Sequence, residues 1–113
     1  MLSSKALKYI LDIQSMLDEL ERVQEAHSRD YTKFSANFMA VRTVERNLEI
    51  IGEAVRKLKE VDPDVEISNY KQIIGLRNMI VHAYDSIDPT ALWRILIKDI
   101  PLLTKEIEKL KNH

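Results

Sequence analysis

A chain of 113 residues with 17 basic and 18 acidic side chains, a net charge of -1 and no cysteine excludes several classes of protein. It has no disulfide framework, thiol nucleophile or thiolate metal site, no basic surplus of the kind a general nucleic-acid binder carries, and no run near 18 apolar residues that would span a membrane. The length fits one domain, residues 1–113, with a marginal core that oligomerisation would help; no signal-peptide pattern opens the chain, and a reducing cytoplasm is the expected location.

Four helices are expected. The first covers about Ser4 to Gln24, capped by Ser3 or Ser4. Ala6, Ile10, Ile13, Leu17 and Leu20 form its apolar stripe, widened by Leu7. A polar segment from Glu25 to Lys33 follows, and its His27 is expected to be solvated, as is the terminal His113. The second helix covers about Tyr31 to Glu60, with Phe34, Val41, Val44, Leu48, Ile51, Val55 and Leu58 on one stripe. Gly52 falls on that stripe, where glycine costs roughly 1 kcal/mol relative to alanine; a close helix crossing explains it. The opposite face carries Arg42, Glu45, Arg46, Glu49, Glu53, Arg56 and Lys57. Such a face is ordinarily solvated, with weak ion pairs. The alternative is that Arg42, Arg46 or Glu49 lines a cleft near Arg77 or a dimer seam.

A linker from Val61 to Asn69 is punctuated by Asp62-Pro63-Asp64. The third helix covers about Tyr70 to Ala83, capped by Ser68 or Asn69. After a break at Asp85–Pro89, Asp88 as N-cap and Pro89 at the first helical position start the fourth helix. It runs to about Lys111 on the stripe Leu92, Leu96, Ile100, Leu103, Ile107 and Leu110. Pro101 lies inside it and is expected to kink it by clashing with the carbonyl of Ile97. Tyr9, Tyr31 and Tyr70 read as core-edge aromatics, and Phe34, Phe38 and Trp93 as packing residues. No run alternates long enough to build a sheet. The expected fold is all-α, an antiparallel up-down four-helix bundle.

The segment Arg77-Asn78-Met79-Ile80-Val81-His82-Ala83-Tyr84 carries the chemistry. On a helical wheel Ile73, Ile80 and Tyr84 lie within about 60° of Arg77 on one side, and Ile74 and Val81 within about 60° on the other. Arg77 therefore occupies the middle of an apolar arc, where a charge needs a partner, an interface or a ligand. Asn78 and His82 are four apart on the polar side and can hydrogen-bond each other. Arg77 and His82 are about 140° apart on one helix. The arginine stem curls round, the helix loosens near Tyr84, or a second chain completes the site; the last also explains Arg77 in the apolar arc. An internal hydrogen-bonded network is the structural alternative to an active site.

With these residues in place, the sequence resembles the HEPN superfamily, in particular its HepT-like members. Their signature, Arg-x4-His-x-Tyr, stands here as Arg77, His82 and Tyr84, with Asn78 as the polar residue after the arginine. The segments Arg46–Ala54, Ile73–Leu76 and Tyr84–Asp88 are also similar, as is Trp93. Tyr70 departs from a frequent tryptophan, and Asp85 from a frequent aromatic. The resemblance covers essentially the whole chain. It implies a homodimer whose two motifs face a shared cleft, and a metal-independent endoribonuclease without cofactor, serving as the toxin of a two-gene toxin–antitoxin pair. It also implies a partner resembling a minimal nucleotidyltransferase, which in some pairs transfers AMP to the motif tyrosine, here Tyr84. The alternative is a catalytically silent partner of such a nucleotidyltransferase.

The residue chemistry agrees with that expectation. RNA carries its own nucleophile, the 2'-hydroxyl. His82 can take its proton and Arg77 can stabilise charge growing on phosphorus. Asn78 would orient His82 or touch phosphate. No water has to be activated, so the step needs no metal.

Overall fold

The computed structural model describes residues 2–82 and 88–112, and for residues 76, 77 and 79–82 it describes the backbone alone. Five helices follow in chain order: α1 (Ser4–Ala26), α2 (Tyr31–Ala36), α3 (Phe38–Val61), α4 (Tyr70–His82) and α5 (Pro89–Lys111). Among the described residues there is no strand, and no helix is long and apolar enough to cross a membrane. The architecture is an all-α bundle of the kind expected. Its central element is α3, which packs along α1 and α4 and also touches α2 and α5.

The stripes become the core. Ala6, Ile10 and Ile13 of α1, Val44, Ile51, Val55 and Leu58 of α3, and Leu92, Leu103 and Ile107 of α5 are fully buried. Removing such side chains from water contributes roughly 1.5–3 kcal/mol each. The helix starts follow their caps. Ser3 Oγ accepts from the amide of Ala6 at 3.1 Å. Asp88 accepts from the amide of Thr90 at 2.9 Å, directly before Pro89. Pro101 does not interrupt α5. Pro101 and Ile97 are both exposed, so water can satisfy the Ile97 carbonyl that the missing amide would have engaged.

Three expectations need correction. The second helix is divided at Asn37, whose backbone is extended (φ -103°, ψ 100°). Its Oδ1 accepts from the amides of Met39 at 3.0 Å and Ala40 at 3.1 Å, so it caps α3. The hydrophobic stripe does not register this break, because Phe34 and Val41 stay seven residues, about two turns, apart.

His27 is half-buried and held by protein partners rather than by solvent alone. Its Nδ1 lies 2.7 Å from the carbonyl of Val23 and donates to it. Its Nε2 then accepts from Asn37 Nδ2 at 3.1 Å, tying the end of α1 to the joint between α2 and α3. His113 lies outside the described residues. Phe38 is not a packing residue: it is 67% exposed, with Met39 beside it at 76%. Phe34 and Trp93 do pack, with ring centroids 5.3 Å apart, and Tyr9, Tyr31 and Tyr70 are half-buried at the core edge as expected.

Candidate active site

The first turn of α4 is fixed before the motif begins. Val65 and Ile67 of the preceding linker and Ile73 of α4 are buried in the core. Both the amide and the hydroxyl of Ser68 donate to Glu106 of α5 at 2.9 Å. Asn69 Nδ2 donates to Asp99 at 2.9 Å. The buried Asn69 Oδ1 takes no hydrogen bond, so Asn69 does not cap α4 through its side chain. The start of α4 is instead held from α5. Lys59 of α3 donates to the carbonyls of Pro63 at 2.9 Å and Val65 at 2.8 Å. Its ammonium also sits 4.9 Å from the Tyr70 ring centroid, a cation–π contact. Tyr70 therefore stands beside the last turn of α3.

That anchor sets the register of the motif. The two helices are joined by the short segment 62–69, so they run antiparallel. Arg77 lies about 10 Å down α4 from Tyr70 and His82 about 18 Å, at 1.5 Å per residue. Arg77 is then level with about Gly52, and His82 with the stretch of α3 around Glu45 to Glu49. Gly52 is buried, which suits a close approach of the two backbones. Arg77 and His82 lie on one continuous helix. They are therefore about 140° apart and about 7.5 Å apart along the axis, and loosening of the helix before His82 does not bring them together. Their side chains, and Tyr84 as a whole, lie outside the described residues. Asn78 is exposed on α4.

The charged face of α3 divides into different environments. Asn47 donates to Glu19 of α1 at 3.4 Å, which marks the α1 side of the helix. Glu45 is about 160° from it on the wheel, on the opposite edge of the buried arc. Glu45 is 7% exposed, a buried carboxylate where a solvated one was expected. Arg42 reaches it at 3.4 Å from the solvent side and lies 5.0 Å from the Phe38 ring. Arg46 is exposed and makes no ion pair with a described residue. Glu49 lines a groove between α1 and α3 with Lys8, Tyr9 and Asp12. Arg56 is engaged within its own helix. Its hydrogen bond to Glu53 at 2.6 Å and the charges of Glu53 and Glu60 raise its pKa.

Among the three candidate cleft residues, Arg42 is thus joined to Glu45, Arg46 faces solvent at the level of His82, and Glu49 borders the groove between α1 and α3. Reading the sequence missed Glu45 as a separate feature. The available signal was its wheel position at the seam beside Val41, Leu48 and Gly52, rather than in the middle of the charged face.

Beyond the motif, the start of α5 is held as firmly as that of α4. Tyr31 and Thr90 share a hydroxyl hydrogen bond at 2.7 Å, and the Tyr31 and Trp93 rings meet edge to face at 5.9 Å. The motif therefore leads out of a helix anchored at its start and into another anchored at its start. Among the described residues no cluster of three His, Cys, Asp or Glu side chains is arranged to hold a metal ion.

Comparison with known proteins gives the family of the chain. The family model described as ribonuclease HepT-like matches residues 16–110. A Methanocaldococcus jannaschii protein that carries the name "Putative RNase" is 38% identical over 108 residues, covering 92% of this chain and 93% of the relative. A Caldanaerobacter subterraneus protein, also named "Putative RNase", is 33% identical over 92 residues, 80% of each chain. The "Probable ribonuclease HepT" of Thermococcus cleftensis is 35% identical over 71 residues, 59% of this chain and 62% of the relative. No solved structure matches significantly. The chain belongs to the HepT-like ribonuclease family.

Proposed function

We propose that this chain is a metal-independent endoribonuclease and the toxin of a toxin–antitoxin pair, neutralised by a minimal nucleotidyltransferase. The observation that carries the reading is the course of α4: Arg77, Asn78 and His82 share one unbroken helix in a chain of the HepT-like ribonuclease family. Arg77 neutralises the scissile phosphate and stabilises charge on the phosphorane. His82 takes the 2'-hydroxyl proton as that oxygen bonds to phosphorus; the bond from phosphorus to the 5'-oxygen breaks, and the leaving oxygen takes a proton from the mate's His82 or from water. Asn78, exposed one residue after the arginine, orients the imidazole or touches phosphate. Arg46, exposed at the level of His82, and Arg42, one turn further along α3, supply positive charge beside the segment. Purified protein incubated with RNA in excess EDTA is expected to cleave it. Cleavage that appears only when divalent metal is restored contradicts this mechanism.

The site is completed by a second copy. The separation of about 140° between Arg77 and His82 on a continuous helix is bridged if each motif faces its mate across a two-fold axis. Phe38 and Met39 offer exposed apolar surface beyond the end of α4, suited to such a contact. Light scattering at micromolar protein is expected to give twice the monomer mass of 13.2 kDa. A monomeric mass rules the shared cleft out.

A further inference from the structure

Phe38 is an aromatic that the packing of the bundle leaves unused. It is 67% exposed in the first turn of α3. A lone exposed apolar side chain needs no explanation, but this one opens a row. Arg42 follows four residues on, and its guanidinium lies over the ring, 5.0 Å from the centroid, a cation–π contact. Glu45 holds part of the Arg42 charge at 3.4 Å, yet the Arg42 side chain stays 51% exposed. Arg46 follows after another four residues, exposed and without an ion pair to a described residue. The three side chains step along α3 one turn at a time, about 40° apart. The row begins on the α4 side of the helix and winds outward. Asn47, which meets Glu19 of α1, is about 180° from Phe38, and the buried Gly52 is about 40° from it. Along the axis Phe38 stands about 10–16 Å beyond the stretch of α3 level with His82, past the last described residue of α4.

We propose that Phe38 is a stacking platform for an unpaired base of the RNA substrate, with Arg42 and Arg46 on the neighbouring phosphates. A base laid on the free face of the ring makes a contact that all four bases can make. The Arg42 guanidinium closes the stack from the other face. A chain with a net charge of -1 attracts RNA little through its overall field, so affinity has to come from a local group of this kind, an aromatic face between cations. The two arginines beside the ring suit a nucleic-acid strand better than an apolar protein surface. Met39, 76% exposed and about 100° further round the helix, remains for a second copy. The inference rests on the ribonuclease reading for its purpose, but its test needs no cleavage.

The test is fluorescence anisotropy with a labelled, unstructured 2'-O-methyl oligoribonucleotide in EDTA. That probe lacks the nucleophile of the proposed reaction and stays intact. Phe38→Leu, which keeps apolar bulk and loses the ring, is expected to weaken binding about 5- to 150-fold. Phe38→Trp is expected to bind at least as well as wild type, and its added tryptophan emission should be quenched as the oligonucleotide saturates it. Arg46→Gln is expected to lower the slope of log affinity against log salt by about 0.7, and Phe38→Leu to leave that slope unchanged. Circular dichroism and thermal midpoint should change little, because the ring is exposed. Wild type that fails to bind, Phe38→Leu that binds equally well, or Phe38→Trp that binds as weakly as leucine overturns the proposal. So does Phe38→Leu whose scattering mass falls to that of one chain, which assigns the ring to the contact between copies. Cleavage by wild type with binding that ignores Phe38 leaves the ribonuclease reading intact. Binding that depends on Phe38 in a protein unable to cleave RNA does the reverse.

Discussion

His82→Ala is expected to lower RNA cleavage about 100- to 10,000-fold while the helical signal and thermal midpoint stay close to wild type. The magnitude is that of losing a positioned general base. The fold should survive because, among the described residues, the buried core comes mainly from α1, α3 and α5, joined by Phe34 of α2, Val65 and Ile67 of the linker and Ile73 near the start of α4. Arg77→Ala is expected to lose a similar amount, because a guanidinium that stabilises phosphorane charge acts mainly in the transition state. Arg77→Lys should recover only part of it, since an ammonium cannot make the paired hydrogen bonds a guanidinium makes to phosphate. These rates are to be measured on a defined RNA, beside circular dichroism of each variant. Undiminished cleavage by folded His82→Ala removes the histidine from the mechanism. Loss of fold in both variants would instead make the octet an internal structural network.

Attachment of AMP to Tyr84 is the second large effect expected. Tyr84 is seven residues from Arg77, so on a continued helix it stays within about 20° of the same line. Asp88 caps the next helix only four residues later. A tyrosine in that short passage can border the cleft and still be reached by another enzyme. The added nucleotide brings bulk and negative charge to the place where RNA phosphates must bind, and should suppress cleavage by repulsion. Intact mass after incubation with the cognate nucleotidyltransferase, ATP and magnesium is expected to rise by whole AMP units in wild type and not in Tyr84→Phe. Equal mass gain in Tyr84→Phe, or none in wild type, returns Tyr84 to a structural or RNA-contacting role.

The helices were legible in the sequence where cap chemistry and periodicity agreed. Ser3 and the stripe from Ala6 to Leu20 placed α1, and Asp88-Pro89 placed α5. The break at Asn37 was not, because a seven-residue spacing of apolar residues passes through it unchanged and only the capping side chain reports it. His27 and Phe38 went the wrong way for a related reason. Their environments come from the junction that Asn37 creates: His27 hydrogen-bonds across it, and Phe38 is turned outward at the start of α3. The candidate site was legible as a motif, through residue types and the family pattern. Its spatial complement was not, since pairing α3 with α4 depends on the tether from Lys59 to Tyr70 and from Ser68 to Glu106. That tether sets which stretch of α3 lies level with each turn of α4, and no local pattern along α3 announces it.

In the proposed reaction the RNA's own 2'-hydroxyl attacks, with His82 as its base. The most direct measurement is end-group identification on the products of a single cleavage by wild-type protein in EDTA. A 2',3'-cyclic phosphate on one fragment and a 5'-hydroxyl on the other are the predicted ends, and they should vanish together in His82→Ala. A 3'-hydroxyl with a 5'-phosphate, the mark of attack by water, would contradict the account.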